Sequence, residues 1–135
     1  MTIAVRDVSV VMRPAYARFV EELSLPSVER AVIPVEKLRD YALNPEHHRG
    51  GHKARVFAST LGIGREDWAF LRDQIAEKLP SASVTAVREN PYGFVYEVPM
   101  LIEGLNGATE EVITAWFLRK ESDIPRLTTT YVNKP

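Results

Sequence analysis

Cysteine is absent from the 135-residue chain, which removes a disulfide framework, a thiolate metal site and a cysteine nucleophile from consideration. No stretch approaches the roughly 20 apolar residues that a membrane span requires. The opening MTIAVRDVSVVMRP also lacks the basic segment and long apolar core of a secretion leader. The expectation is a cytoplasmic protein with no membrane partner. Charge of one sign is not in excess either. Seventeen Lys and Arg against eighteen Asp and Glu leave a formal net charge of −1, so bulk charge does not mark a nucleic-acid coat, and any anion site must be local. Repeats, low-complexity tracts and dividing linkers are missing as well.

What is present is an ordinary globular composition, 45% hydrophobic and 26% charged, in a length that suits one domain with its own core. Residues 2–12 read as a strand with a bulge, or as two short pieces, because Ile3 and Val5 are in phase while Val8 and Val10 shift by one. After Pro14, the residues Tyr16, Phe19, Val20 and Leu23 repeat at helical spacing until Pro26. These elements form an expected N-terminal extension, residues 1–32, packed on a single α+β domain of residues 33–135.

Within that domain Pro34 opens a helix whose Val35, Leu38 and Ala42 share a face and which Asn44-Pro45 stops. A second helix follows Gly50-Gly51, with Ala54, Phe57, Ala58 and Leu61 as its apolar stripe and Gly62 as its end. A third runs from about Arg65 to Leu79 on Trp68, Leu71, Ile75 and Leu79. Trp68 and Trp116 are both expected in the core. Beyond Pro80 the apolar period drops to two, predicting strands near Val84–Arg88 and Phe94–Val98, a long one ending at Arg119, and a last one at Arg126–Val132. The turns are Asn90–Gly93 and Gly104–Gly107. The fold class expected is α+β, with N-terminal helices packed on one face of a C-terminal antiparallel β-meander.

One stretch looks chemical. All three histidines fall between His47 and His52, inside PEHHRGGHKAR. Gly50 and Gly51 lead into a helix, where open N–H groups and the dipole favour an anion. Imidazoles can take and give protons near neutral pH. With His47, Lys53 and Arg55 nearby, the parts suit metal-free RNA cleavage, in which the ribose 2′-hydroxyl attacks the adjacent phosphorus and cations stabilise the growing charge. No cofactor is needed. Two plainer readings stand beside this one: a solvated loop between helices, and a metal site. The spacing H-H-x-x-x-H lacks the geometry of a helical zinc motif, so no metal ligand is assigned. A further constellation lies on the last strand, where regular alternation puts Arg126, Thr128 and Thr130 on one face and Thr129 and Tyr131 on the other.

The blocks KLRDYALNPEHHRGGHKARVFASTLG and AWFLRKESDIPRLTTTYV resemble a bacterial family of domains of unknown function, over Ile33 to Val132. That resemblance implies a toxin-type module and a small companion protein. The order of elements is also similar to the barnase–EndoU–colicin–RelE class of metal-independent ribonucleases, an analogy of architecture. It implies His52 as acid or base and Lys53, Arg55 and Arg126 as phosphate clamps, with Thr129 or Tyr131 orienting. The near-neutral charge and the lack of an acid paired with His52 depart from that class. Two functions follow, an RNA-cleaving domain and a non-enzymatic module that holds a companion protein.

Overall fold

The computed structural model describes residues 24–134; the strand expected at 2–12 and the helix expected from Pro14 to Leu23 lie outside the described residues. Pro34 does precede a helical turn, α1 (Val35–Lys37), but it widens at once into a π-helical turn over Leu38–Ala42. There the Leu43 amide bonds the Leu38 carbonyl at 2.8 Å. The wider turn brings Leu38, Ala42 and Leu43 all into the core, at 0%, 0% and 1% exposure. In a regular 3.6-residue period Ala42 and Leu43 would point about 100° apart.

The helix α2 (Gly51–Leu61) buries Ala54, Phe57 and Leu61, while Ala58 faces solvent. Left-handed Gly62 closes it, with the Gly62 and Ile63 amides returned to the Ala58 and Phe57 carbonyls. A short turn at Arg65–Asp67 leads into α3 (Trp68–Lys78), and the Asp67 carboxylate accepts from the Gly64 amide at 2.8 Å to hold the entry. Leu71 and Ile75 are buried as their spacing predicts. Trp68 departs from expectation: it is only partly buried, at the core's rim, with the Arg72 guanidinium 5.1 Å from its ring centroid.

Four strands, β1 (Ala86–Asn90), β2 (Gly93–Glu103), β3 (Thr109–Arg119) and β4 (Arg126–Val132), pair antiparallel in chain order. This is the expected meander, and the helices cover the face that carries Tyr96, Val98, Ile102, Val112, Trp116 and Leu127. The architecture is α+β. Residues ahead of Ile33 join the same body: Leu25 is 2% exposed within the core, and Val32 bridges Arg126 in parallel along the outer edge of β4. On the other side, β1 pairs with β2 only as far as Glu97. Beyond that point Gln74 donates to the Glu103 carbonyl at 2.6 Å and accepts from its amide at 3.0 Å, and the Lys78 ammonium reaches the Leu101 carbonyl at 2.6 Å. Side chains of α3 thus occupy backbone groups that a neighbouring strand would take.

The last strand corrects the expected alternation. Ala115 pairs with Thr129, but Trp116 pairs with Leu127, so Thr128 is the extra residue of a β-bulge. Directly opposed residues share a face. Leu127, Thr130 and Val132 therefore lie with Trp116, Thr114 and Val112 on the core side, and Arg126, Thr129 and Tyr131 register with Phe117, Ala115 and Ile113. Arg126 and Thr130 do not share a face, contrary to the period-two reading, because the bulge resets the phase.

The core holds few polar atoms. Thr114, fully buried, donates to the Val98 carbonyl at 2.7 Å and accepts from the Trp116 indole at 2.8 Å. Tyr96, 4% exposed, has no partner for its hydroxyl among the described residues, and burial pushes its ionisation up to about 12. The two sites predict opposite outcomes. Thr114→Val should cost about 1–3 kcal/mol by orphaning the indole N–H. Tyr96→Phe should be neutral or stabilising by up to about 1 kcal/mol, since it removes a group that has no bond to lose. Urea midpoints with unchanged slopes would check both.

Candidate functional site

The His-rich loop is built around one lone pair. The His47 Nδ1 accepts from the Arg49 and Gly50 amides, each at 3.0 Å, while the His47 carbonyl accepts from the Gly51 amide at 2.8 Å. An unprotonated Nδ1 places the neutral ring's proton on Nε2. The two glycine amides expected to be open to an anion are therefore engaged within the loop. The pair is required for another reason. A Cβ on Gly50 would stand 2.6 Å from the Tyr41 carbonyl oxygen, and one on Gly51 would stand 2.6 Å from that of Pro45, so only glycine lets these segments approach.

An open cleft of about 530 Å³ forms where this loop, the π-helical turn, α2 and the β4 bulge meet. Its wall comprises Lys37 and Tyr41, the loop residues His47, His48 and Arg49, then Lys53, Thr128 and Thr129. Among the described residues no carboxylate lines it, and none of Lys37, Arg49 and Lys53 is in an ion pair. The field inside is accordingly positive although the chain as a whole is near neutral. The Lys53 ammonium lies 3.4 Å from the Thr129 hydroxyl, 5.0 Å from the Tyr131 ring centroid and 5.7 Å from that of Tyr41. Such contacts hold a cation without neutralising it.

Tyr41 owes its position to the π-helical turn, which is anchored from outside. Asp40 accepts from Arg39 at 2.9 Å and 3.0 Å and from Arg65 at 2.9 Å, and Arg65 also reaches the Arg39 carbonyl. Hydrogen bonds from Arg39 and then Arg65 hold the Asp40 carboxyl well below the usual carboxylate range.

Of the residues singled out in the sequence, His47, Lys53, Thr128 and Thr129 line the cleft, and Tyr131 flanks it through Lys53. His52, Arg55 and Arg126 are exposed and lie outside its wall. Arg55 is turned to the Pro45 carbonyl at 3.1 Å, and Arg126 pairs through its backbone with Phe117. Sequence reasoning gave no role to His48 and Arg49 within the cluster, and missed Lys37 and Tyr41. The four-residue spacing of the latter two, on the helix running toward the His-rich loop, was the available signal. Among the described residues no group of three or more His, Asp or Glu is placed to hold a metal ion, and no helix is long and apolar enough to cross a membrane.

Comparison with known proteins adds a family and a fold. The family model described as a domain of unknown function (DUF6883) matches residues 24–134, beginning earlier than the Ile33 boundary drawn from the sequence blocks. No curated protein matches significantly. Among solved structures, a chain from the "Contact-dependent growth inhibition toxin - immunity protein complex from Klebsiella pneumoniae 342" is similar with a TM-score of 0.58 at 14% identity, over 80% of this chain and 97% of that one. At that identity the likeness is one of fold.

The loop and its anchor can be tested separately. His47→Ala removes the acceptor of two amides and should cost about 1–2 kcal/mol, as loss of a helix cap does. Faster hydrogen exchange at Arg49 and Gly50, with α3 unchanged, is the expected signature. For Asp40 the folded carboxyl is depressed, so its stabilisation is complete above the unfolded value of about 4 and is lost as pH falls through the folded one. The stability difference between the wild type and Asp40→Asn should therefore shrink steadily on going from about pH 5 to pH 2, read as urea midpoints at each pH.

Proposed function

The chain belongs to the DUF6883 family of domains of unknown function, and from that premise we propose that it is a toxin-type domain that cleaves RNA without a metal ion. The observation that carries the reading is convergence. The imidazole-bearing loop and the bulged end of β4 face one another across a single cleft in which the cations Lys37, Arg49 and Lys53 have no acidic partner among the described residues. The resemblance in fold to a chain of a toxin–immunity complex supports a toxin-type or companion-binding role and, with it, a small companion protein.

The chemistry follows from the wall of the cleft. A phosphodiester seated there meets cations that offset the charge growing on its non-bridging oxygens, and the Thr128 and Thr129 hydroxyls can donate to the same oxygens. The ribose 2′-oxygen bonds to phosphorus as the bond from phosphorus to the 5′-oxygen breaks, leaving a 2′,3′-cyclic phosphate and a 5′-hydroxyl. His48 forms no hydrogen bond among the described residues and is exposed, so its imidazole is free to accept the 2′-hydroxyl proton. The Lys53 ammonium delivers a proton to the departing oxygen. His47 has a different part, since its Nδ1 is committed to the loop. His52, Arg55 and Arg126 lie outside the cleft's wall and take no part in this scheme.

The test is cleavage of RNA by the full chain in the presence of a chelator, with the ends analysed. Cyclic phosphate products are expected, with none from a strand carrying 2′-deoxyribose at the cut. His48→Ala should lower the rate by about 10²–10⁴-fold, and Lys53→Ala by about 10²-fold or more. His52→Ala discriminates between the faces of α2: loss of activity there, with His48→Ala fully active, would move the chemistry out of the cleft. An inert wild type would leave the companion-binding module as the reading.

A further inference from the structure

The cleft carries an aromatic ladder whose ring faces are not used by the phosphate chemistry, which calls only on an edge nitrogen of His48. Tyr41 meets His47 edge-on with ring centroids 4.8 Å apart, and His47 stacks on His48 at 4.8 Å with the planes 12° apart. The inner rungs are committed. Tyr41 has the Lys37 and Lys53 ammonium groups each 5.7 Å from its centroid, and His47 is held by its bonds to the loop amides. His48 is the outermost rung and is exposed, with one ring face on His47 and no other aromatic ring of the described residues against its second face. An exposed imidazole, stacked on a ring that is itself held by two backbone bonds, presents a flat π-face beside three cations.

We propose that the second face of His48 is a stacking platform for an unpaired nucleobase, so that the substrate class is RNA in a single-stranded loop or end rather than a duplex. The inference deepens the RNA-cleaving reading and rests on it for the choice of ligand. Two physical points favour an unpaired base. Every base has a π-face, so a lone ring accepts one without a hydrogen-bond code, whereas the bases of an A-form duplex have already stacked on one another and cannot leave cheaply. A ring also works in two directions at once. Its face can hold the base while its edge nitrogens remain free, and the ribose of a stacked nucleotide then lies beside that edge. The cations Arg49 and Lys53 flank the same spot, where the adjoining phosphate would fall.

Binding separates this from cleavage. The probe is a 2′-O-methyl oligoribonucleotide, which lacks the attacking hydroxyl, containing a single 2-aminopurine and used as a single strand or annealed to its complement. Anisotropy reports affinity, and quenching of the aminopurine reports stacking. The full-length wild type should bind the single strand about tenfold or more tighter than the duplex and quench its fluorescence. Because His48 is exposed and makes no hydrogen bond, its variants should keep the fold. His48→Ala should lose the quenching and about 5- to 100-fold of the single-strand affinity. His48→Phe should retain both while losing cleavage of ordinary RNA. Equal affinity of the wild type for both forms would overturn the proposal, as would equal losses in the two variants or an unaffected His48→Ala. If cleavage fails in every protein while the Phe variant still quenches, the platform stands and the catalytic reading falls.

Discussion

The cleft depends on a single unshared electron pair, that of His47 Nδ1. By accepting two consecutive amides it turns the chain sharply between the π-helical turn and α2. That turn sets His48 parallel to its neighbour and points Lys53, two residues into α2, at the bulge of β4. Glycine at positions 50 and 51 is the steric counterpart, because the loop lies against the carbonyls of Tyr41 and Pro45. Because Nδ1 is the acceptor, the hydrogen of the neutral ring sits on Nε2.

Much of the architecture was legible from periodicity. Helix α2 and its glycine stop, the buried face of α3, and the four strands with their two turns all lie close to where apolar spacing put them. Regular periodicity also explains the misses. A π-helical turn and a β-bulge each insert one residue into a repeat, and pattern reading assumes the repeat never slips. At Leu38–Ala42 the slip put both Ala42 and Leu43 into the core, and at Thr128 it moved Thr130 into the core and left Arg126 on the other side of the strand. Both irregularities line the same cleft.

The His-rich cluster was legible as a place and less so as an arrangement. Its residue types pointed to anion chemistry, and cations without acidic partners do gather there. The division of labour among the histidines was invisible, because it is decided by which ring nitrogen meets a backbone amide. His47, His48 and His52 are alike in sequence. In three dimensions one is a fixed strut, one is an exposed ring on the cleft wall, and one stands on the outer surface of α2. Likewise Arg55 and Lys53, two residues apart on a helix, face nearly opposite ways, one toward the Pro45 carbonyl and one toward Thr129.

The Gln74 and Lys78 side chains on the free length of β2 have a consequence for how molecules of this fold coexist at high concentration. Gln74 offers the ladder both a donor and an acceptor, as a peptide unit would, so that margin is already zipped shut. Val32 does the same at the start of β4. At the outer rim of β1, lateral growth of the sheet meets Arg88, Glu89 and Asn90, which are exposed and polar. Desolvating that trio would oppose fibre-like stacking of copies.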